Sequence, residues 1–118
     1  MKTILICGSR NPDGQTAWAV DAVMKGLMKA GASVEKIFLP PLRIERCRQC
    51  DDNGWGLCRE GRCVIEDDLS GLIGKIRQAD AVVFATPVYY SDLSESLRAF
   101  TDRLRRVCTH GSEIASIK

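Results

Sequence analysis

Histidine is almost missing from this chain: His110 is the only one among 118 residues. It lies near the end with no serine or cysteine partner in evidence. It therefore reads as a surface residue, which leaves no lead toward a histidine-activated nucleophile. An excess of either charge is missing too, since 17 Lys and Arg offset 15 Asp and Glu to a formal +2. Neither a nucleic acid nor a membrane surface is an expected partner of so balanced a chain, and no large acidic surface is evident. No apolar run nears the roughly 18 residues of a membrane span. The opening "MKTILICGSR" is too short for a signal peptide and no small-residue cleavage site follows it, so a cytoplasmic setting is expected. Internal repeats and low-complexity segments are absent. A hydrophobic share of 45% and a charged share of 27% are ordinary for one globular domain.

Cysteine, by contrast, is plentiful, with six in the chain, four of them between Cys47 and Cys63. In a reducing compartment these are not expected to form a disulfide framework. Their spacing is C-x2-C-x7-C-x4-C over Cys47, Cys50, Cys58 and Cys63. Four readings are open: an iron–sulfur cluster, a zinc site, a redox pair, or thiols that merely pack. Cys7 and Cys108 fall within regular elements and are expected to pack. The acidic run Glu66–Asp68 is explained by helix capping and its favourable charge at a helix start.

Around this segment the pattern is regular. "TILIC", Thr3 to Cys7, is a continuous apolar run that suits a strand buried on both faces. Val20, Val23, Met24 and Leu27 predict a helix closed by Gly31. "SVEKIFL" predicts a second strand stopped by Pro40 and Pro41. A helix capped by Asp67 or Asp68 puts Leu69, Leu72, Ile73 and Ile76 on one face. "DAVVFATP" predicts a third strand. Asp92 with Glu95 resembles a capping box opening a last helix. That helix turns Leu97, Phe100, Leu104 and Val107 inward and presents Arg98, Arg103, Arg105 and Arg106 as a solvated face. The alternation predicts an α/β fold with a parallel sheet. "SEIASIK" could lead into a fourth strand, but the chain stops at Lys118, so the apolar third strand would be left at an edge.

The loop "GSRNPDGQTA" joins the first strand to the first helix, where backbone amides and the strands' carboxyl ends favour an anion. It has no Walker lysine and no dinucleotide glycine triplet. What it offers a phosphate is the hydroxyls of Ser9 and Thr16, Arg10 and free amides.

That loop, together with "ATPVYYSDLSESLRAFTDR" after the third strand and "CVIEDD" between them, resembles the flavodoxin-like NAD(P)H-dependent FMN reductase family, including its iron–sulfur flavoprotein members. The resemblance runs from Lys2 to about Arg106. It implies a flavodoxin-like three-layer sandwich with a parallel sheet, truncated after the third βα unit. Residues 1–118 would then be a single FMN-binding domain, incomplete at its C-terminus. The family's strand order is 2-1-3-4-5, and three of those strands are in view. By position, Ser9, Arg10, Asn11, Gln15, Thr16 and Ala17 would hold the FMN phosphate. Pro87, Val88, Tyr89 and Tyr90 would lie along the ribityl chain and the flavin ring. Cys47, Cys50, Cys58 and Cys63 would be the ligands of an iron–sulfur cluster, although "DDNGWGL" looks like an insertion that moves the third cysteine away.

The implied function is an oxidoreductase that takes electrons from NAD(P)H through FMN. They would pass to a small acceptor or a redox partner, by way of the cluster if one is held. No protein acid or base is expected to be essential, because the flavin carries the chemistry. A homodimer or homotetramer is implied as well. Two other classes stay open: a one-electron carrier of flavodoxin type, and a zinc-stabilised module without flavin.

Overall fold

The computed structural model describes residues 1–50 and 57–109. His110, the "SEIASIK" end and most of the "DDNGWGL" insertion lie outside the described residues. The elements follow the order β1 (Lys2–Cys7), α1 (Gln15–Lys29), β2 (Ser33–Phe38), a short 3-10 helix (Leu57–Glu60), α2 (Leu69–Gln78), β3 (Ala81–Ala85) and α3 (Glu95–Thr109).

Strand β1 has its apolar run buried on both sides, and the sheet explains why. The described strands form one parallel sheet in the order β2-β1-β3, with Ile4 opposite Glu35 on one side and Val82 on the other. Side chains alternate across a strand. Ile4 and Ile6 therefore enter the core shared with α2 and α3, through Leu69, Ile73, Leu97 and Phe100. Leu5 and Cys7 point the other way, toward Val20 of α1. Helices thus cover both faces in a three-layer α/β sandwich, the flavodoxin-like arrangement expected. Each large side chain taken fully out of water contributes about 1.5–3 kcal/mol, so β1 is the hydrophobic axis of the domain. Strand β3 is at an edge of the described sheet, and Phe84 on it is 46% exposed.

Helix α1 ends as Gly31 predicts. Gly31 has φ 90°, and its amide bonds Met28 O while that of Ala32 bonds Leu27 O. This is a Schellman closure. Cys7 is fully buried, and Cys108 packs against the α2–α3 core as a partly buried side chain.

Two expectations need correction. The cap of α3 is Ser94 rather than Asp92: Ser94 Oγ accepts from Leu97 N at 3.4 Å, and Ser94 O accepts from Arg98 N. Asp92 is engaged elsewhere, in a turn with Tyr89 and in an ion pair with Arg98. Arg103 is not on a solvated face. It is 1% exposed and heads the fully buried side chains by volume. Arg98 and Arg105 do face solvent, each paired with an aspartate.

Candidate functional site

Three loops leave the carboxyl ends of the parallel strands and build the candidate site. The first, Gly8 to Gly14, is folded by its own side chains. Ser9 Oγ accepts from Asn11 N at 3.2 Å, Asn11 Oδ1 accepts from Asp13 N at 2.9 Å, and Gly14 N bonds Asn11 O at 3.3 Å. Ser9 is buried while Arg10, Asn11 and Gln15 are exposed. Helix α1 then starts with Gly14 as its cap, with no side-chain capping bond and no acid in its first turn. The opening amides of a helix have no partner inside it. Here the cap supplies no side-chain bond and the first turn holds no acid, and Arg10, beside them in the chain, carries no ion pair among the described residues.

The loop after β3 is held by Thr86, whose Oγ1 donates to Pro87 O and accepts from Ser94 N at 2.9 Å. Tyr89 and Asp92 exchange both backbone hydrogen bonds at 3.0 Å, so Tyr90 and Ser91 form a two-residue turn. Their φ values are 50° and 62°. Such a turn requires left-handed backbone, which glycine or asparagine adopts cheaply and tyrosine does not. The turn leaves Val88 and Tyr89 largely exposed and Tyr90 entirely so. Apolar side chains fixed outside the core on a strained turn are a mark of a binding surface.

The first loop and the one after β3 meet at Gly8. Its amide bonds Ala85 O at 2.8 Å, and its carbonyl accepts from Ser96 Oγ at 3.3 Å. Beside that junction opens a cleft of about 1220 Å³. It is lined by the segment after β2 (Leu39, Leu42, Ile44, Arg46), by the first half of α3, and by Arg10 and Tyr89. Of the residues expected to hold FMN, only Arg10 and Tyr89 line this cleft. Ser9, Asn11, Gln15, Thr16 and Ala17 stand at the start of α1, and Pro87, Val88 and Tyr90 lie on the facing loop.

The third loop carries the cysteines. Cys47, Cys50, Cys58 and Cys63 are all free, with only Cys50 fully exposed. Burial pushes the Cys58 thiol up, and the neighbouring Cys63, Cys47 and Cys50 push it further. No three Cys, His, Asp or Glu side chains among the described residues are gathered closely enough to hold a metal ion. The donor set suits an iron–sulfur group in its chemistry, while its sulfurs are not drawn together around one point. Gln49, between Cys47 and Cys50, has φ 52°. All three non-glycine residues of positive φ among those described thus fall in the candidate site.

Beneath the cysteines sits Arg103. It donates to Asp67 Oδ2 at 2.6 Å and Oδ1 at 3.1 Å, to Glu45 O at 2.9 Å and to Cys63 Sγ at 3.3 Å. Burial alone would raise the Asp67 carboxyl. The hydrogen bond from Arg103 and the amides of Glu45 and Leu69 outweigh it and hold Asp67 below the usual carboxylate range. Burial likewise opposes the charge on Arg103, and its bonds to Asp67 and Cys63 more than restore it.

Sequence reasoning missed Arg103, Thr86 and the cleft wall at Leu39–Arg46. Arg103 carried a readable signal, because it lies three residues from Phe100 and four from Val107, on the buried stripe of α3.

Comparison with known proteins gives a consistent picture. A family model described as NADPH-dependent FMN reductase matches residues 1–116. An iron–sulfur flavoprotein of Archaeoglobus fulgidus is 34% identical over 105 residues, covering 88% of this chain and 46% of that protein. Another from Methanocaldococcus jannaschii is 32% identical over 106 residues, covering 89% and 52%. The chain thus spans about half the length of the curated relatives it matches. Among solved structures, the NAD(P)H:quinone oxidoreductase from Methanothermobacter marburgensis aligns with a TM-score of 0.70 at 21% identity. That alignment covers 89% of this chain and 53% of that one, and it speaks for the fold.

Proposed function

Because the chain belongs to the NADPH-dependent FMN reductase family, we propose that it binds FMN across the loops after β1 and β3 and uses it to carry electrons from NAD(P)H to a small acceptor or redox partner. The observation that carries this reading is the uncapped, acid-free start of α1, with Arg10 beside it and the exposed Tyr89–Tyr90 turn at the neighbouring strand end. When bound, the flavin supplies hydride acceptance and onward electron transfer.

The chain's own residues have three tasks. Arg10, the side chain of Asn11, the hydroxyl of Thr16 and the amides of Gln15, Thr16 and Ala17 would meet the phosphate, with Ser9 holding the loop in shape through the Asn11 amide. A phosphate monoester is close to a dianion, and helix-end amides with one guanidinium suit it without a lysine. Pro87, Val88, Tyr89 and Tyr90 offer the ring a flat, mostly apolar wall. The cleft beside them gives the electron donor or acceptor an approach, with an apolar wall at Leu39, Leu42 and Ile44 and the cations Arg10 and Arg46. Asp92 and Asp102, paired with Arg98 and Arg105, and Glu95 line the same cleft, so its charge is mixed, while its apolar wall suits a nicotinamide ring.

Two relatives carry an iron–sulfur group in their names; Cys47, Cys50, Cys58 and Cys63 are the thiols that would ligate one here, and among the described residues they are not gathered closely enough to do so. A cytoplasmic homodimer or homotetramer is part of the same reading, and residues 1–118 act as a single domain in it.

The test is an absorption spectrum of anaerobically purified protein, taken before and after NADPH. Two flavin bands that bleach with NADPH support the reductase, and a broad brown shoulder adds the cluster. A colourless preparation that takes up no added FMN overturns the proposal. Arg10→Ala should weaken FMN binding about 10- to 100-fold, the loss of one charge-assisted hydrogen bond. Unchanged affinity in a flavin-fluorescence titration would remove Arg10 from the phosphate site.

A further inference from the structure

The acidic run before α2 does more than start that helix. Asp68 stands at the α2 start and makes no side-chain capping bond there. Its carboxylate instead accepts from Arg43 N at 2.6 Å, and its own amide donates to Arg43 O at 3.0 Å. Asp67 Oδ2 accepts from Glu45 N at 2.9 Å, and Arg103 donates to Glu45 O at 2.9 Å. Both backbone groups of Arg43 and both of Glu45 are thus tied to the start of α2 or to α3. The segment lies outside the sheet, so these bonds stand in for a strand ladder.

The residues between have a different duty. Leu42, Ile44 and Arg46 line the cleft, while Arg43 and Glu45 do not. Anchoring the odd positions therefore presents the even ones as a wall. Leu42 and Ile44 are apolar and only partly buried. Arg46 is exposed and forms no ion pair among the described residues. In the same cleft, Arg98 and Arg105 are neutralised by Asp92 and Asp102. Glu95 belongs to the first turn of α3, where a helix start favours an acid. Arg10 also lacks an ion pair, and the function proposed above gives it to the FMN phosphate. Arg46 is left with no partner beside an apolar surface. A guanidinium so placed suits a carboxylate or sulfonate, which its planar fork meets through two hydrogen bonds.

We propose that Leu42–Arg46 is the ligand-selecting wall of the cleft and that Asp67, Asp68 and Arg103 are its positioning residues. The wall takes an acceptor that has a flat aromatic ring and a carboxylate or sulfonate group, with the ring on Leu42 and Ile44 and the anion on Arg46. The acceptor role rests on the reading that the cleft leads to bound FMN. A wall fixed in advance spares the ligand the cost of ordering it.

The experiment titrates two probes into the full chain by isothermal calorimetry, with and without saturating FMN. They are naphthalene-2-sulfonate and naphthalene-2-sulfonamide, a neutral compound of the same shape. Wild type should bind the sulfonate about tenfold more tightly, the worth of one hydrogen bond between charged groups, and keep that preference with FMN present. Arg46→Gln should bring the two affinities together without weakening the sulfonamide. Asp68→Ala, a change at an exposed position, should weaken both probes, because the wall as a whole loosens. A general loss of stability would not separate the two variants in this way. Equal wild-type affinities, or a preference that survives Arg46→Gln, overturn the proposal. Unchanged binding by Asp68→Ala overturns the positioning role. Displacement of the sulfonate by FMN overturns the wall as well, since the site would then be the flavin's own. If FMN does not bind while the preference at Arg46 holds, the wall stands and the reading of the cleft as an approach to FMN falls.

Discussion

A methyl group on Gly8 would lie 2.4 Å from Ser94 Oγ and 3.0 Å from Leu97 Cβ. Gly8 is where the loop after β1 touches the start of α3, and a missing side chain allows that approach. Gly8→Ala should destabilise the fold by about 1–3 kcal/mol, the usual cost of overpacking, as a lower urea midpoint with unchanged slope. Asp67 has a different signature. Its folded carboxyl sits below its ordinary value of about 3.9 because Arg103 and two amides outweigh burial. The stability it contributes is therefore present above that ordinary value and is lost as pH falls through the lower, folded one. Asp67→Asn should lower stability at neutral pH and flatten the acid side of the stability–pH curve. Melts of the two proteins that stay parallel down to low pH would count against this account.

The helices differ in how they begin, and the difference bears on function. Ser94 caps α3 and Glu95 supplies the acid of its first turn, so that end is satisfied from within. Ser94→Ala should cost about 1 kcal/mol, with the loss seen in thermal melts. Helix α1 begins with Gly14 and has neither device. The apolar spacing in α1 and α2 and the punctuation at Gly31, Pro40 and Pro87 were legible in the chain, because periodicity and breakers act locally. The α3 cap was not. "SDLSES" contains several residues able to cap, and the choice of Ser94 follows from Asp92 being drawn into the Tyr89 turn and toward Arg98. Arg103 was misread because its charge was weighed above its spacing. A buried position for an arginine becomes reasonable only once Asp67, Glu45 and Cys63 are seen to converge on it.

Across the whole molecule, the order β2-β1-β3 brings the loop after β1 beside the loop after β3, at the place where the chain leaves β1 in both directions across the sheet. Ligands of open α/β sheets gather in that crevice. If the phosphate is held there, FMN should raise the melting temperature with the logarithm of its concentration; at 100 times its dissociation constant the gain is about 2.7 kcal/mol. Riboflavin, which lacks the phosphate, should give a much smaller shift at the same concentration. Equal shifts from the two would place the binding energy in the ring wall and remove it from the α1 loop.

The alternating elements, the parallel sheet and the polar loop between β1 and α1 could be read from residue order alone, since hydrophobic period and turn chemistry are properties of neighbours in the chain. The strain at Tyr90 and Ser91, the cap at Ser94, the cleft against Leu39–Arg46 and the bond from Arg103 to Cys63 could not. The first two turn on which of several neighbouring residues wins a local competition, the last two on residues tens of positions apart, and burial reverses the ordinary preference of an arginine for water only when all its acceptors arrive together.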